Sequence, residues 1–485
     1  MMTLLSLLQR NVGTALCLPA HGRGLALPAS FKRLLRQRPG RWDLPELPSI
    51  GGPLISDGAV ADSQRHIAAA MGADRAWYGV NGATGMLQAA LLAVAAPGQA
   101  VLIPRNSHRS VLQACLLGDL VPLLFDLPFQ SDRGQPAPAD QAWMERVLAD
   151  LPRNAPPIAA AVLVHPTYQG YANNPTAVIQ LLQKQGWPVL VDEAHGSHLA
   201  LAGETELPPS ALHGGADLVV HSLQKSSSGL AQTAVLWLQG QRVDPDAVER
   251  SLGWLQTTSP SALLLASCES AVMAWSNRSG RQRLMRRLQE ARQLRDCLIG
   301  EGLPLLANQD PLRLVLHTGA AGISGPEADA WLLSRGLVAE LPEPATLTFC
   351  LGLAKRRGLA SLLTLRWKQL LKAHPDRQAQ TAFSRPPLPL VATLSMPLGK
   401  AWRAPAHCVP LSDAEGGIAA EPICPYPPGI PLLVPGEQLD GPRWRWLLEQ
   451  QGQWGDQIPQ TVRLVKGERD PVRIASMQPD PSLQC

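Results

Sequence analysis

From about residue 51 to 245, short apolar runs bounded by glycine and proline alternate with stretches whose apolar positions recur at helical spacing. Trp77–Val80, Ala100–Ile103, Ile158–Val164, Val189–Asp192, Leu218–Ser222 and Thr233–Leu238 read as strands, being too short and too evenly apolar for helices. Strands covered on both faces lose the polar half of their alternation. The pattern therefore predicts a largely parallel sheet with helical crossovers. Helical spacing dominates from about 246 to 300, where Leu284, Leu288, Ala291, Leu294 and Leu298 mark the apolar stripe of an amphipathic helix. A second α/β piece follows over about 305 to 373, with Leu312–Leu316 and Thr346–Cys350 as its clearest strands. Proline then interrupts regular patterning. The predicted division is an arm over 1–50, a large domain over 51–304, a small α/β domain over 305–385 and a C-terminal domain over 386–485.

Composition narrows the function classes. The 485 residues are 45% hydrophobic and 17% charged, the balance of a globular chain long enough for a large core. A net charge of +4 is too small for this length to argue for nucleic acid, and the arginines of 278–295 fit the solvated face of the amphipathic helix. The cysteines form no C-x-x-C pair, which speaks against a metal site and for reduced thiols in a cytoplasmic protein. The start, Met1 to Arg10, imitates a signal sequence but lacks a basic leading region, and no segment has the length of a membrane span.

The chemistry gathers at predicted strand ends. Asn81-Gly82-Ala83-Thr84-Gly85 joins a strand to a helix, and such a turn offers free backbone N–H groups and the Thr84 hydroxyl to a phosphate. His108, just past the strand Ala100–Ile103, can lie flat on an aromatic ring; the ordinary alternative is a surface histidine at a helix start capped by Ser107. The run Val189–Asp192 ends in Asp192-Glu193-Ala194-His195, and Leu218–Ser222 is followed by Lys225. An open α/β sheet binds its ligand at that edge. A lysine condenses with an aldehyde, a carboxylate holds a protonated pyridine nitrogen, and Ser222 can donate to a phosphate. Pyridoxal 5′-phosphate needs the lysine and the carboxylate. Each cluster alone has a mundane explanation as a cap, a turn or a surface side chain. Their order along the chain is harder to dismiss.

With these motifs the chain resembles the ornithine/lysine/arginine decarboxylases of fold type I, the aspartate-aminotransferase-like pyridoxal-phosphate enzymes, in their shorter form without a receiver-like N-terminal domain. The resemblance rests on Leu16-Cys17-Leu18-Pro19-Ala20-His21-Gly22, Asp43-Leu44-Pro45-Glu46, Pro104-Arg105-Asn106-Ser107-His108, His165-Pro166-Thr167-Tyr168-Gln169-Gly170, Gly417-Ile418-Ala419-Ala420-Glu421 and, most specifically, Pro425-Tyr426-Pro427-Pro428-Gly429 with Pro435-Gly436-Glu437. It implies α-decarboxylation of a basic amino acid, arginine or lysine before ornithine, with the amine and carbon dioxide as products. Lys225 becomes the Schiff-base lysine, Asp192 the partner of the pyridine nitrogen, His108 the ring-stacking residue, and His195 a neighbour of the ring. Ala83 through its backbone, Thr84, Gly85 and Ser222 become cofactor contacts. Thr258 and Ser259 reach the phosphate of a neighbouring subunit in a homodimer or larger homo-oligomer with shared sites, and Glu421 holds the distal cation of the substrate.

Departures from the family pattern carry their own expectations. Gln224 stands where relatives have a histidine before the lysine, and glutamine is no acid near neutral pH. His195 or His221 is the substitute. Gly22 replaces a common lysine, and Ala83 a hydroxyl residue. Two alternatives follow: another fold type I reaction, such as an aminotransferase using Arg313 to clamp a carboxylate, or a cofactor-binding regulatory paralogue without turnover.

Overall fold

The computed structural model describes residues 8, 13–202, 207–380, 382–425, 430–454 and 458–467. Most of the segment Met1 to Arg10 and residues 426–429 of the proline-rich motif lie outside them. An eight-stranded sheet forms the centre. In chain order its strands are β1 Arg75–Gly79, β2 Ala100–Pro104, β3 Val121–Phe125, β4 Ile158–Val164, β5 Val189–Asp192, β6 Leu218–Ser222, β7 Ala234–Leu238 and β8 Val391–Ala392. Across the sheet they lie in the order β8-β3-β2-β4-β5-β6-β7-β1. The five strands from β3 to β6 in that order are mutually parallel, while β7 runs antiparallel to both its neighbours and β8 antiparallel to β3. The largely parallel sheet is thus as the apolar runs predict. Strands β3 and β8 are additions: Pro122 interrupts the first run, and the second is only two residues long.

Alternate residues of each strand face opposite layers, as the period-two pleat requires. Val219, Val235 and Trp237 enter one core, whereas Leu218, Val220, Leu236 and Leu238 enter the other, beneath the helix Gly82–Val94. A second, antiparallel sheet of Leu305–Leu306, Arg313–Leu316, Thr346–Cys350 and Leu341–Glu343 packs beside the large one. Gly170 marks a close approach to this sheet. Its φ of +86° needs glycine, and a Cβ there would fall 2.9 Å from Asp310 Cβ and 3.1 Å from Arg313 Cβ.

The N-terminal arm crosses this junction. Thr14–Ala15 pairs in parallel with Leu337–Val338. Leu16 then accepts the Cys350 N–H at 2.7 Å, and Ala20 donates to the backbone oxygen of Gln224 at 2.8 Å. In the C-terminal region Ala406–Pro410 pairs with Thr461–Val465 over its own small core. No helix among the described residues is long and apolar enough to cross a membrane.

Candidate active site

Asp192 closes β5 opposite Val220 of β6, so the two strands deliver their following residues to one sheet edge. After Ser222 the chain turns into a single helical turn, Leu223–Ser226, which carries Lys225 back over that edge. The Lys225 amine lies 3.0 Å from His195 Nε2, and His195 Nδ1 faces Arg313 Nη2 at 3.3 Å. A guanidinium only donates, so Nδ1 must be the accepting nitrogen. The neutral ring then carries its proton on Nε2 and points it at the lysine, whose amine accepts with a lone pair.

Electrostatics favour the same assignment. Burial, Lys225 and Arg313 together hold His195 well below the usual histidine range. Burial pushes the Lys225 amine down as well; the Asp192 carboxylate opposes this and Arg313 adds to it. His108 is lowered by burial first, with Asp192 opposing and Lys225 reinforcing the shift. The charges of Asp192 and Lys225 thus act on His108, and the charge of Asp192 acts on Lys225. Asp192 is buried, its Oδ1 accepting the Ala194 N–H at 3.1 Å.

The turn Asn81–Gly85 leaves the start of a helix without a side-chain cap. Gly82 takes a φ of +71° and opens the helix Gly82–Val94, which has no side-chain cap. Asn81 instead sends its amide to the Leu255 carbonyl at 2.8 Å. First-turn N–H groups of an uncapped helix seek an outside acceptor, and an anion is the natural one. Ala83 is half-buried, Thr84 exposed and Gly85 buried. Across the sheet Gly79 pairs with Ala234, and Ala234 with Ser222, so the buried Ser222 stands two strands, roughly 10 Å, from this turn. The donor set suits pyridoxal phosphate: an amine for the aldehyde, a carboxylate for the ring nitrogen and an N–H turn for the phosphate.

His108 caps its own helix, Arg109–Gly118, its Nδ1 meeting the Ser110 N–H at 3.3 Å and Ser110 Oγ at 2.8 Å. Ser107 is not the cap. The two bonds fix the ring, and the residue remains exposed. Of the histidines that could replace the one missing at 224, only His195 touches Lys225. His221 is buried in another network, bonded to Glu193 Oε2 at 2.7 Å and accepting from Trp237 Nε1 at 2.9 Å.

Three sequence-derived site residues are not brought to this cluster. Thr258 and Ser259 are exposed on the loop after the helix Pro245–Leu255. Glu421 pairs with Arg463 at 2.9 Å in the C-terminal region, both side chains about half exposed. Conversely, Tyr168 and Glu340 had no assigned role. The Tyr168 ring packs on His195 at 4.4 Å between centroids, its hydroxyl donates to Glu340, and the other Glu340 oxygen accepts the Leu18 N–H at 2.8 Å. Tyr168 sits inside a family-like motif and so carried a signal; Glu340, in an irregular stretch, carried none.

Comparison with known proteins identifies the family. Residues 9–308 match the family described as Orn/Lys/Arg decarboxylase, major domain, and residues 377–471 its C-terminal domain. An arginine decarboxylase of Bacillus subtilis is 28% identical over 432 residues, covering 87% of each chain. One from Halalkalibacterium halodurans is 29% identical over 433 residues with the same coverage. The solved lysine decarboxylase A of Pseudomonas aeruginosa superposes with a TM-score of 0.76 at 19% identity, over 90% of this chain and 76% of that one. The fold is that of the type I pyridoxal-phosphate enzymes. By sequence along most of its length and by architecture, the chain belongs to the Orn/Lys/Arg decarboxylase family.

Proposed function

We propose that this protein removes the α-carboxyl group of a basic amino acid, arginine or lysine before ornithine, at the sheet edge where Lys225 and Asp192 meet. The observation that carries the proposal is that Asp192 closes β5 beside β6, and the turn after β6 brings the Lys225 amine to 3.0 Å from His195, three residues after Asp192. Bound there, pyridoxal phosphate supplies a protonated ring that accepts the electron pair left when carbon dioxide departs.

The remaining work belongs to the chain. Lys225 offers a neutral amine to the aldehyde carbon because burial and Arg313 disfavour its charged form. Asp192 holds the proton on the pyridine nitrogen by charge proximity. His108 would cover one face of the ring. Ser222 and the Ala83-Thr84-Gly85 turn would hold the phosphate. His195 takes the position left vacant by Gln224, holding a proton on Nε2 within 3.0 Å of the Lys225 nitrogen. Arg313 keeps that proton off Nδ1.

The aminotransferase alternative loses its main support here. Arg313 is buried, with its Nη2 turned to His195 Nδ1. Thr258 and Ser259 are exposed and free to complete the site of a second copy in a homodimer. Glu421 can serve a distal cation only by leaving Arg463. Similarity to arginine decarboxylases makes arginine the first substrate to offer.

The test is to supply arginine, lysine and ornithine separately to cofactor-loaded protein. One amine, agmatine, cadaverine or putrescine, should appear with an equal amount of carbon dioxide. Absence of carbon dioxide from all three would end the proposal.

A further inference from the structure

We infer that Arg105 and Glu437 form a buried clamp through which the C-terminal region sets the position of His108. The inference rests on the reading of His108 as the residue that covers the cofactor ring.

Arg105 is the first residue beyond β2 and Glu437 belongs to the Pro435-Gly436-Glu437 motif. Their side chains are each only 1% exposed. They meet through two bonds, Nη2 to Oε1 at 2.7 Å and Nη1 to Oε2 at 3.1 Å. Arg105 Nη1 also reaches the carbonyls of Pro431 and Leu432 at 3.3 and 3.4 Å. On the other side Glu437 accepts the Val434 N–H at 2.8 Å and Arg443 Nη1 at 3.0 Å. Every one of these partners except Arg105 comes from the C-terminal region.

Such a pair is a poor device for stability alone. Desolvation of buried charges offsets most of their attraction, and apolar side chains of the same volume often serve as well. What a two-pronged pair does supply is geometry. Here it fixes a short turn. The Arg105 N–H donates to the Phe125 carbonyl at 3.0 Å, the Ser107 N–H returns to Pro104 at 3.0 Å, and His108 follows as the helix cap. The intervening side chains add little. Asn106 Oδ1 and Ser107 Oγ are buried without a hydrogen-bond partner. Arg105 is then the side-chain anchor of the segment that presents His108, which makes it and Glu437 positioning residues.

The test is a double-mutant cycle read by pyridoxal phosphate affinity and by the visible circular dichroism of the bound cofactor. Arg105→Lys keeps the charge but cannot make the paired bonds. It should weaken cofactor binding about tenfold with His108 present, yet change affinity by less than about twofold in the His108→Ala background. A second pair, Arg105→Met with Glu437→Gln, removes both charges while Arg443 keeps its bond to Asp440 at 2.9 Å. It should show the same dependence on His108. Additive losses in both cycles, or an unchanged dichroism signal, would overturn the clamp and leave the proposed function standing. A wild-type protein that takes up no pyridoxal phosphate would overturn the reading of the site itself, and the clamp with it.

Discussion

His195 Nε2 lies 3.0 Å from the Lys225 amine. With Nδ1 facing Arg313, the contact has a direction: the imidazole donates and the lysine accepts. Burial pushes the Lys225 amine below the ordinary lysine range, with Asp192 opposing and Arg313 adding to the shift.

The rate of cofactor uptake by the empty protein should therefore rise through a pH lower than the ordinary lysine range. Arg313 is one of the charges that lower Lys225. Arg313→Met should move the midpoint of uptake to higher pH, since one repelling cation is gone. Stopped-flow absorbance at a series of pH values measures this, and an unmoved midpoint would contradict the assignment.

Lys225→Ala should abolish covalent attachment. Borohydride treatment of the loaded wild type should leave the cofactor on the peptide that contains Lys225, as found by mass spectrometry. Label on any other lysine would sink the assignment.

Asp192→Asn removes the charge that favours the protonated ring while keeping the side-chain shape. Turnover should fall by a factor on the order of a hundred, with cofactor affinity reduced much less, because the lost interaction matters most where charge develops. Comparing kcat with the cofactor dissociation constant separates the two effects. Equal losses in both would place Asp192 in binding rather than in chemistry.

Glu343 predicts a pH effect on stability. It is fully buried among neutral donors, Gln135 Nε2 at 2.6 Å and Gln169 Nε2 at 2.9 Å, and burial pushes its carboxyl up to about 7. A raised folded-state value means that the neutral acid is favoured in the fold. Its contribution is complete below the ordinary carboxyl range near 4.5 and is lost as pH rises from there through about 7. Denaturant unfolding of the protein and of Glu343→Gln should differ in pH dependence by this contribution, on the order of 3 kcal/mol between about pH 5 and about pH 8. Glu343→Gln should flatten this dependence, with a small loss at the lower pH because one amide oxygen cannot serve both donors. An unchanged pH slope in the variant would refute the prediction.

Much of the site was legible because strand ends in a parallel sheet inherit their position from the apolar run before them. Val189–Asp192 and Leu218–Ser222 appear with the limits that their composition suggests, and Asp192 and Lys225 follow from them. Contacts across the domain junction were not legible. Tyr168, Glu340 and Arg313 lie more than a hundred residues from one another or from Lys225 in at least one pairing each, and nothing in local periodicity reports which of them will meet. Glu437 could be flagged as part of a motif, yet its partner Arg105 is specified only by the folded surface between them.

Between Thr14 and Ala20 the arm joins the strand Leu337–Val338 and, through Leu16, the Cys350 N–H of the smaller sheet to the peptide oxygen one residue before Lys225. Any hinge motion of the smaller sheet toward the ligand must therefore pull on the backbone of residue 224 through a tether only a few residues long. Trimming the first twenty residues would cut that tether, so a shortened protein should still form its central sheet but release its cofactor faster, a difference that dilution into a phosphate-free buffer would expose.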